Sequence, residues 1–197
     1  MQAGVIILSG GNSRRMGTNK ALLKIAEKPN IERIKEEVEK QFKEILLVTN
    51  DLDSYQFLNI PMVSDHFLGK GPLAGIHAGL AASQNEINLV VACDMPFVSA
   101  GLGMILVENI GEYDAVVPLI EGKQHPLFAV YHKRTLPKLE DCLVNNNLRM
   151  KNLLDQVNTL HMTEKDFQKY GDQRLERIFF NMNHRDEYIH AKKWAET

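Results

Sequence analysis

Four short apolar runs in this chain end in polar residues able to bind or react: Leu8-Ser9-Gly10-Gly11, Val48-Thr49-Asn50, Val63-Ser64-Asp65 and Cys93-Asp94. The first continues as a glycine- and cation-rich stretch, Asn12-Ser13-Arg14-Arg15-Met16-Gly17-Thr18-Asn19-Lys20. Glycines let backbone N–H groups crowd around an anion. Arginine adds forked donors and lysine a mobile point charge, a combination that suits a polyphosphate better than a neutral ligand. Asp94 offers a hard oxygen for a divalent cation. Mg²⁺ needs only one or two carboxylates when phosphate oxygens and waters complete its shell. The same aspartate could instead cap the following helix. The loop is not a Walker A motif, because Gly17 and Lys20 are three residues apart, and it is not G-x-G-x-x-G.

These residues need a scaffold that gathers them, and the rest of the pattern supplies one. Gly4–Leu8, Ile45–Val48, Pro61–Val63, Leu89–Cys93 and Asp114–Pro118 read as strands, most of them apolar on both faces, as in a covered parallel sheet. Ile31, Ile34, Val38 and Phe42 recur at helical spacing. Pro72 suits the first turn of a helix through Leu80, and another helix is expected over Leu102–Asn109 despite Gly101 and Gly103. Alternating strands and helices imply βαβ units. If the first four strands are parallel, their polar endings share the carboxyl edge of the sheet, where open α/β sheets bind ligands. Beyond Pro118 the rhythm changes. Phe128–Tyr131 and Ile178–Phe180 read as strands, and Leu136–Leu143, Met150–Val157 and Asp186–Trp194 as helices. The expectation is a single-domain, doubly wound α/β fold over residues 1–197. Its mainly parallel sheet would carry an antiparallel C-terminal extension.

Composition narrows the class. The chain has 197 residues, with 23 Lys and Arg against 25 Asp and Glu, a net charge of -2. That balance argues against nucleic-acid binding, which draws on excess basic charge. The apolar run Leu89–Cys93 is far short of the ~20 residues a membrane helix needs. The N-terminal Met1-Gln2-Ala3-Gly4 lacks the basic segment of a signal peptide. Cys93 and Cys142 form neither a disulfide framework nor a zinc spacing. A reduced cytoplasmic protein is expected.

The loop Leu8-Ser9-Gly10-Gly11-x-x-Arg14-Arg15-Met16-Gly17-x-x-Lys20-x-Leu22-Leu23 resembles the signature of the molybdenum cofactor guanylyltransferase family. Gly71-Pro72-Leu73-Ala74-Gly75, Cys93-Asp94-Met95-Pro96 and His125-Pro126-Leu127-Phe128-Ala129 resemble further segments of that family, in the same order. Asn181-Met182-Asn183 matches its N-x-N pattern, but His184-Arg185 stand where Thr-Pro is usual.

The resemblance implies a Rossmann-like nucleotidyltransferase with a nucleotide-binding part over about residues 1–118 and an acceptor-binding part over about 119–197. It would use Mg²⁺ to transfer GMP from GTP to the phosphate of molybdopterin, releasing pyrophosphate. GTP binding is carried over onto Leu8, Ser9, Gly10, Gly11, Lys20, Asn50, Asp65 and Asp94, and catalysis onto Arg15, Lys20 and Asp94, with Asp94 the metal ligand. Asp65 could accept the two donor edges of guanine or could hold the ribose. His125, Pro126, Asn181 and Asn183 would face the acceptor, although His125 could equally serve only packing. A monomer is expected, in brief contact with proteins that deliver or receive the cofactor. Two other readings stay open: cytidylyl transfer to molybdopterin or another phosphorylated metabolite, and nucleotide sensing without turnover.

Overall fold

The structure, a computed structural model, describes residues 2–10, 19–171 and 174–196. The first half alternates strand and helix: β1 (Ala3–Leu8), the small hairpin β2 (Lys24–Ile25) and β3 (Lys28–Pro29), α1 (Asn30–Val38), β4 (Glu44–Val48), β5 (Met62–Val63), α2 (Pro72–Ala82), β6 (Ile87–Ala92) and α3 (Ala100–Glu108). The second half runs β7 (Ala115–Ile120), β8 (Lys123–Gln124), β9 (Phe128–His132), α4 (Leu136–Val144), α5 (Met150–Leu154), β10 (Thr159–Thr163), α6 (Glu164–Gln168), α7 (Leu175–Ile178) and α8 (Arg185–Ala195). The main sheet has the order β10-β7-β9-β6-β1-β4-β5, with β8 attached to β7.

Side-chain alternation along each strand builds two apolar layers. Val5, Ile7, Leu89, Val91, Phe128 and Val130 face α1 and α3. Ile6, Leu8, Val90, Ala129 and Tyr131 face α2 and α4. Strands covered on both faces carry no polar alternation, which is why they read as continuous apolar runs. Helix α2 is apolar nearly all round, as befits a helix buried between the sheet and a second helix. Gly103 sits inside α3 because a Cβ there would meet Leu89 Cδ2 at 2.6 Å; the glycine lets the helix lie close on the sheet.

The α/β class with a mainly parallel sheet holds. β4, β1 and β6 pair in parallel, as do β4 with β5 and β7 with β10. The antiparallel part differs in place from the expected extension: β9 is inserted between β6 and β7, antiparallel to both. Three local expectations are corrected. Ile178–Phe180 is not a strand; Ile178 closes the short helix α7, and Phe179 packs on Phe128 with ring centroids 5.7 Å apart. Pro118 does not end its strand, which runs on to Ile120. It falls where pairing passes from β9, last at Val116, to β8, first at Leu119, so its missing N–H is not needed on that side. Phe42 lies past the end of α1, yet is buried in the same core.

Candidate active site

Parallel pairing sets the ends of β1, β4, β5 and β6 side by side, so Ser9-Gly10, Asn50, Asp65 and Asp94 line one edge of the sheet. Leu8 and Ser9 are bound into the fold at this edge. The Cys93 N–H donates to the Leu8 carbonyl at 3.1 Å and the Ser9 N–H to the Val48 carbonyl at 2.9 Å. Those groups hold the sheet end rigid, and exposed Gly10 stands at its mouth. Gly11 and Arg15, expected in the nucleotide loop, lie outside the described residues.

Tyr55, which the sequence reading passed over, anchors both ends of that loop. Its hydroxyl accepts from Ser9 Oγ at 2.6 Å and from Asn19 Nδ2 at 2.7 Å. The ring is buried, and the phenol pKa is raised by that burial. No apolar period marks a tyrosine inside Asp53-Ser54-Tyr55-Gln56, so only the fold exposes its role. Asn30 was also missed. It is fully buried, donates from Nδ2 to the Cys93 carbonyl at 2.7 Å, and so fixes the peptide that carries Asp94.

Asp94 and Lys20 come to the same rim. Burial raises the Asp94 carboxyl above its ordinary range, the Lys20 charge opposes this, and Glu187 and Lys123 act more weakly. The C-terminal segment ties the two together: the Met182 N–H donates to the Asp94 carbonyl at 2.8 Å, and Lys20 Nζ donates to Asn183 Oδ1 at 2.9 Å. Asn181 folds back to donate to the Phe179 carbonyl at 3.1 Å. His184, in place of the usual threonine, caps α8 in a reciprocal arrangement with Glu187, which keeps the segment's exit intact.

Asp65 is paired with Asn50. Its Oδ2 accepts from Asn50 Nδ2, and its N–H donates to Asn50 Oδ1, both at 3.1 Å. The second carboxylate oxygen, Oδ1, is buried without a partner. His125 packs on Phe179, with ring centroids 4.4 Å apart, and burial pushes its pKa down to about 4, so the imidazole is neutral at physiological pH. The Pro126 carbonyl accepts from the Tyr131 hydroxyl at 2.8 Å, which ties this bend to β9, the strand it leads into. Burial pushes the Cys93 thiol up to about 12, which keeps it protonated near neutral pH.

Among the described residues, no three His, Cys, Asp or Glu side chains gather into a metal cluster. A cation here would take Asp94 and oxygens of the ligand. A desolvated carboxylate at a rim that also holds Lys20 fits Mg²⁺ bound together with phosphate, and does not fit an all-protein cage.

The family model of the MobA-like NTP transferase domain matches residues 5–160, which hold this whole sheet edge. The chain belongs to that family. As a MobA-like NTP transferase it is a nucleotidyltransferase, with the predicted nucleotide loop and the Asp94 strand inside the matched span. A probable molybdenum cofactor guanylyltransferase of Bacillus cereus is 36% identical over 95% of this chain and 94% of its own. Another, from Pelotomaculum thermopropionicum, is 34% identical over 100% of this chain and 95% of its own. The crystal structure of molybdopterin-guanine dinucleotide biosynthesis protein A from Archaeoglobus fulgidus superposes with a TM-score of 0.85 at 26% identity, covering 98% of both chains. In this MobA-like chain no helix among the described residues is long and apolar enough to cross a membrane.

Proposed function

We propose that the chain transfers GMP from GTP to the terminal phosphate of molybdopterin, releasing pyrophosphate and forming a guanine dinucleotide cofactor. The observation that carries this reading is the meeting of Lys20, Asp94 and the Asn181–Asn183 segment on one rim, through the Asn183 and Met182 hydrogen bonds. Curated relatives that match nearly the whole chain are named guanylyltransferases, which supports the choice of nucleotide and acceptor.

The acceptor phosphate is already anionic near neutral pH, so its attack on the α-phosphate needs little help from a general base. Catalysis then rests on position and charge. Lys20, held by Asn183, would stand against the triphosphate and the departing pyrophosphate. Arg15 would add a forked donor to the same phosphates. Asp94 would hold Mg²⁺, which when bound neutralises charge on the phosphates. Gly10 and Gly11 would let the loop backbone approach them. Asp65, oriented by Asn50, would turn its carboxylate to guanine, whose N1–H and amino group are both donors. His125 and Pro126, beside Phe179, and Asn181 would border the acceptor. The reaction needs no membrane and no nucleic acid, and it suits a cytoplasmic monomer.

Calorimetric titration with GTP and with CTP, followed by pyrophosphate release with Mg²⁺ and molybdopterin, tests the proposal. GTP binding and acceptor-dependent release are expected. Tight CTP binding without GTP binding would end the guanylyl reading, and no release at saturating acceptor would leave a nucleotide sensor.

A further inference from the structure

A cavity of about 450 Å³, away from the rim, opens between α1, the Pro96–Val98 turn and α7. None of the rim residues lines it. Its walls carry Arg33, Lys40, Arg174 and Arg177, with Phe97, Val98 and Ile178 as the apolar part. The two carboxylates in the lining are already engaged: Glu36 with Lys28 at 2.5 Å, and Glu37 with Lys40 and the Ala100 N–H. Arg33 and Arg177 form no ion pair among the described residues. Arg33 Nε is buried without a partner. Arg177 spends one N–H on the Trp194 carbonyl at 2.7 Å and lies over the Phe97 ring, 4.5 Å from its centroid. Burial lowers the Arg33 pKa and the neighbouring Arg177 charge lowers it further, against the pull of Glu36. Two guanidinium groups line one hollow of ligand size, near enough that the Arg177 charge is felt at Arg33, and a forked oxyanion would answer both.

We propose that this cavity binds a phosphomonoester, its phosphate bridging Arg33 and Arg177 and its organic part lying along Phe97, Val98 and Ile178. The cavity is larger than a phosphate ion requires, and its apolar wall gives the organic group a surface to cover. Because Pro96–Val98 come two to four residues after Asp94, an occupant would also brace the turn that follows the Asp94 strand.

The test is a nitrogen-15 NMR titration of the whole protein with phenyl phosphate, inorganic phosphate and sodium chloride at matched ionic strength. The Arg33 Nε–Hε signal is assigned by its loss in Arg33→Gln. It is expected to shift saturably with phenyl phosphate, about tenfold more tightly than with inorganic phosphate, and to do so equally in Lys20→Ala. Signals of the α7 backbone are expected to follow in the wild type and to stay still in Arg33→Gln. Equal affinity for the two phosphates would overturn the phosphomonoester assignment in favour of free phosphate. A response that matches chloride, or one that disappears in Lys20→Ala, would overturn the site itself.

Discussion

Asp94 keeps its carboxyl where water is scarce, and so its pKa is raised. Between the ordinary value and the raised one, the folded chain binds more protons than the unfolded chain. Stability therefore falls as pH rises through that window, and at neutral pH the charged group remains a strain on the fold. Asp94→Asn is accordingly expected to abolish Mg²⁺-dependent transfer and yet to raise the melting temperature of the ligand-free protein, by about 2–4 °C for each kcal/mol relieved. Calorimetric melting beside a pyrophosphate-release assay checks both; a lower melting temperature with normal turnover would remove Asp94 from its role. Lys20→Ala is expected to weaken GTP binding by roughly 10–100-fold, in line with the loss of a charge-assisted contact to phosphate, and to leave guanosine binding little changed. Equal losses in parallel titrations would place Lys20 away from the phosphates. Asp94 and Lys20 were legible in the sequence because an acid after a buried strand and a lysine at the end of a glycine-rich turn are local signals. Tyr55 and Asn30 were not, since each acts on residues 36 or more positions distant.

At the scale of elements, the strands of the first half and most of the helices could be read from periodicity, because each buries a regular stripe or run. The reading failed where tertiary context overrode local pattern. Ile178-Phe179-Phe180 is as apolar as a strand, but its aromatics are used for contact with Phe128 and Trp194. β10, Thr159-Leu160-His161-Met162-Thr163, escaped notice because an edge strand that pairs only with β7 can stay half-polar. Tyr55 joins Ser9 and Asn19, the described residues on either side of the proposed nucleotide loop, through its hydroxyl. Tyr55→Phe leaves Ser9 and Asn19 without their acceptor, at a cost of about 1 kcal/mol. A rise of roughly fivefold in KM for GTP is expected, with kcat less affected; steady-state kinetics with an unchanged KM would show that the loop is held by other means. In α3, Gly103→Ala would drive a methyl into Leu89. It is expected to lower stability by about 1–3 kcal/mol in denaturant unfolding, and no loss would mean that the helix can lift from the sheet without cost.

Across the whole molecule, the two halves of the chain meet at the rim: β1, β4, β5 and β6 provide the sheet edge, and the segment from Phe179 to Asn183 closes against it. His125 reports on that closure, because its imidazole is buried against Phe179 with a pKa of about 4. The folded state thus binds fewer protons than the unfolded state between about 4 and the ordinary histidine value near 6.5. Its contribution to stability is complete above that range and is lost as pH falls through it. Asp94 titrates with the opposite sign, so the comparison must be made between variants: His125→Phe is expected to flatten the acid side of the melting-temperature profile relative to wild type. Identical profiles would show that the histidine is free to charge in the fold.

The insertion of β9 between β6 and β7 bears on synthesis. Until residues 128–132 leave the ribosome, β6 has β1 on one flank only, and its other flank presents bare N–H and C=O groups beside some of the most apolar sequence in the chain. A nascent or truncated product that stops short of that point would carry a sticky border ready to pair with a stranger, so the hazard of aggregation is concentrated in the interval before the last central strand arrives.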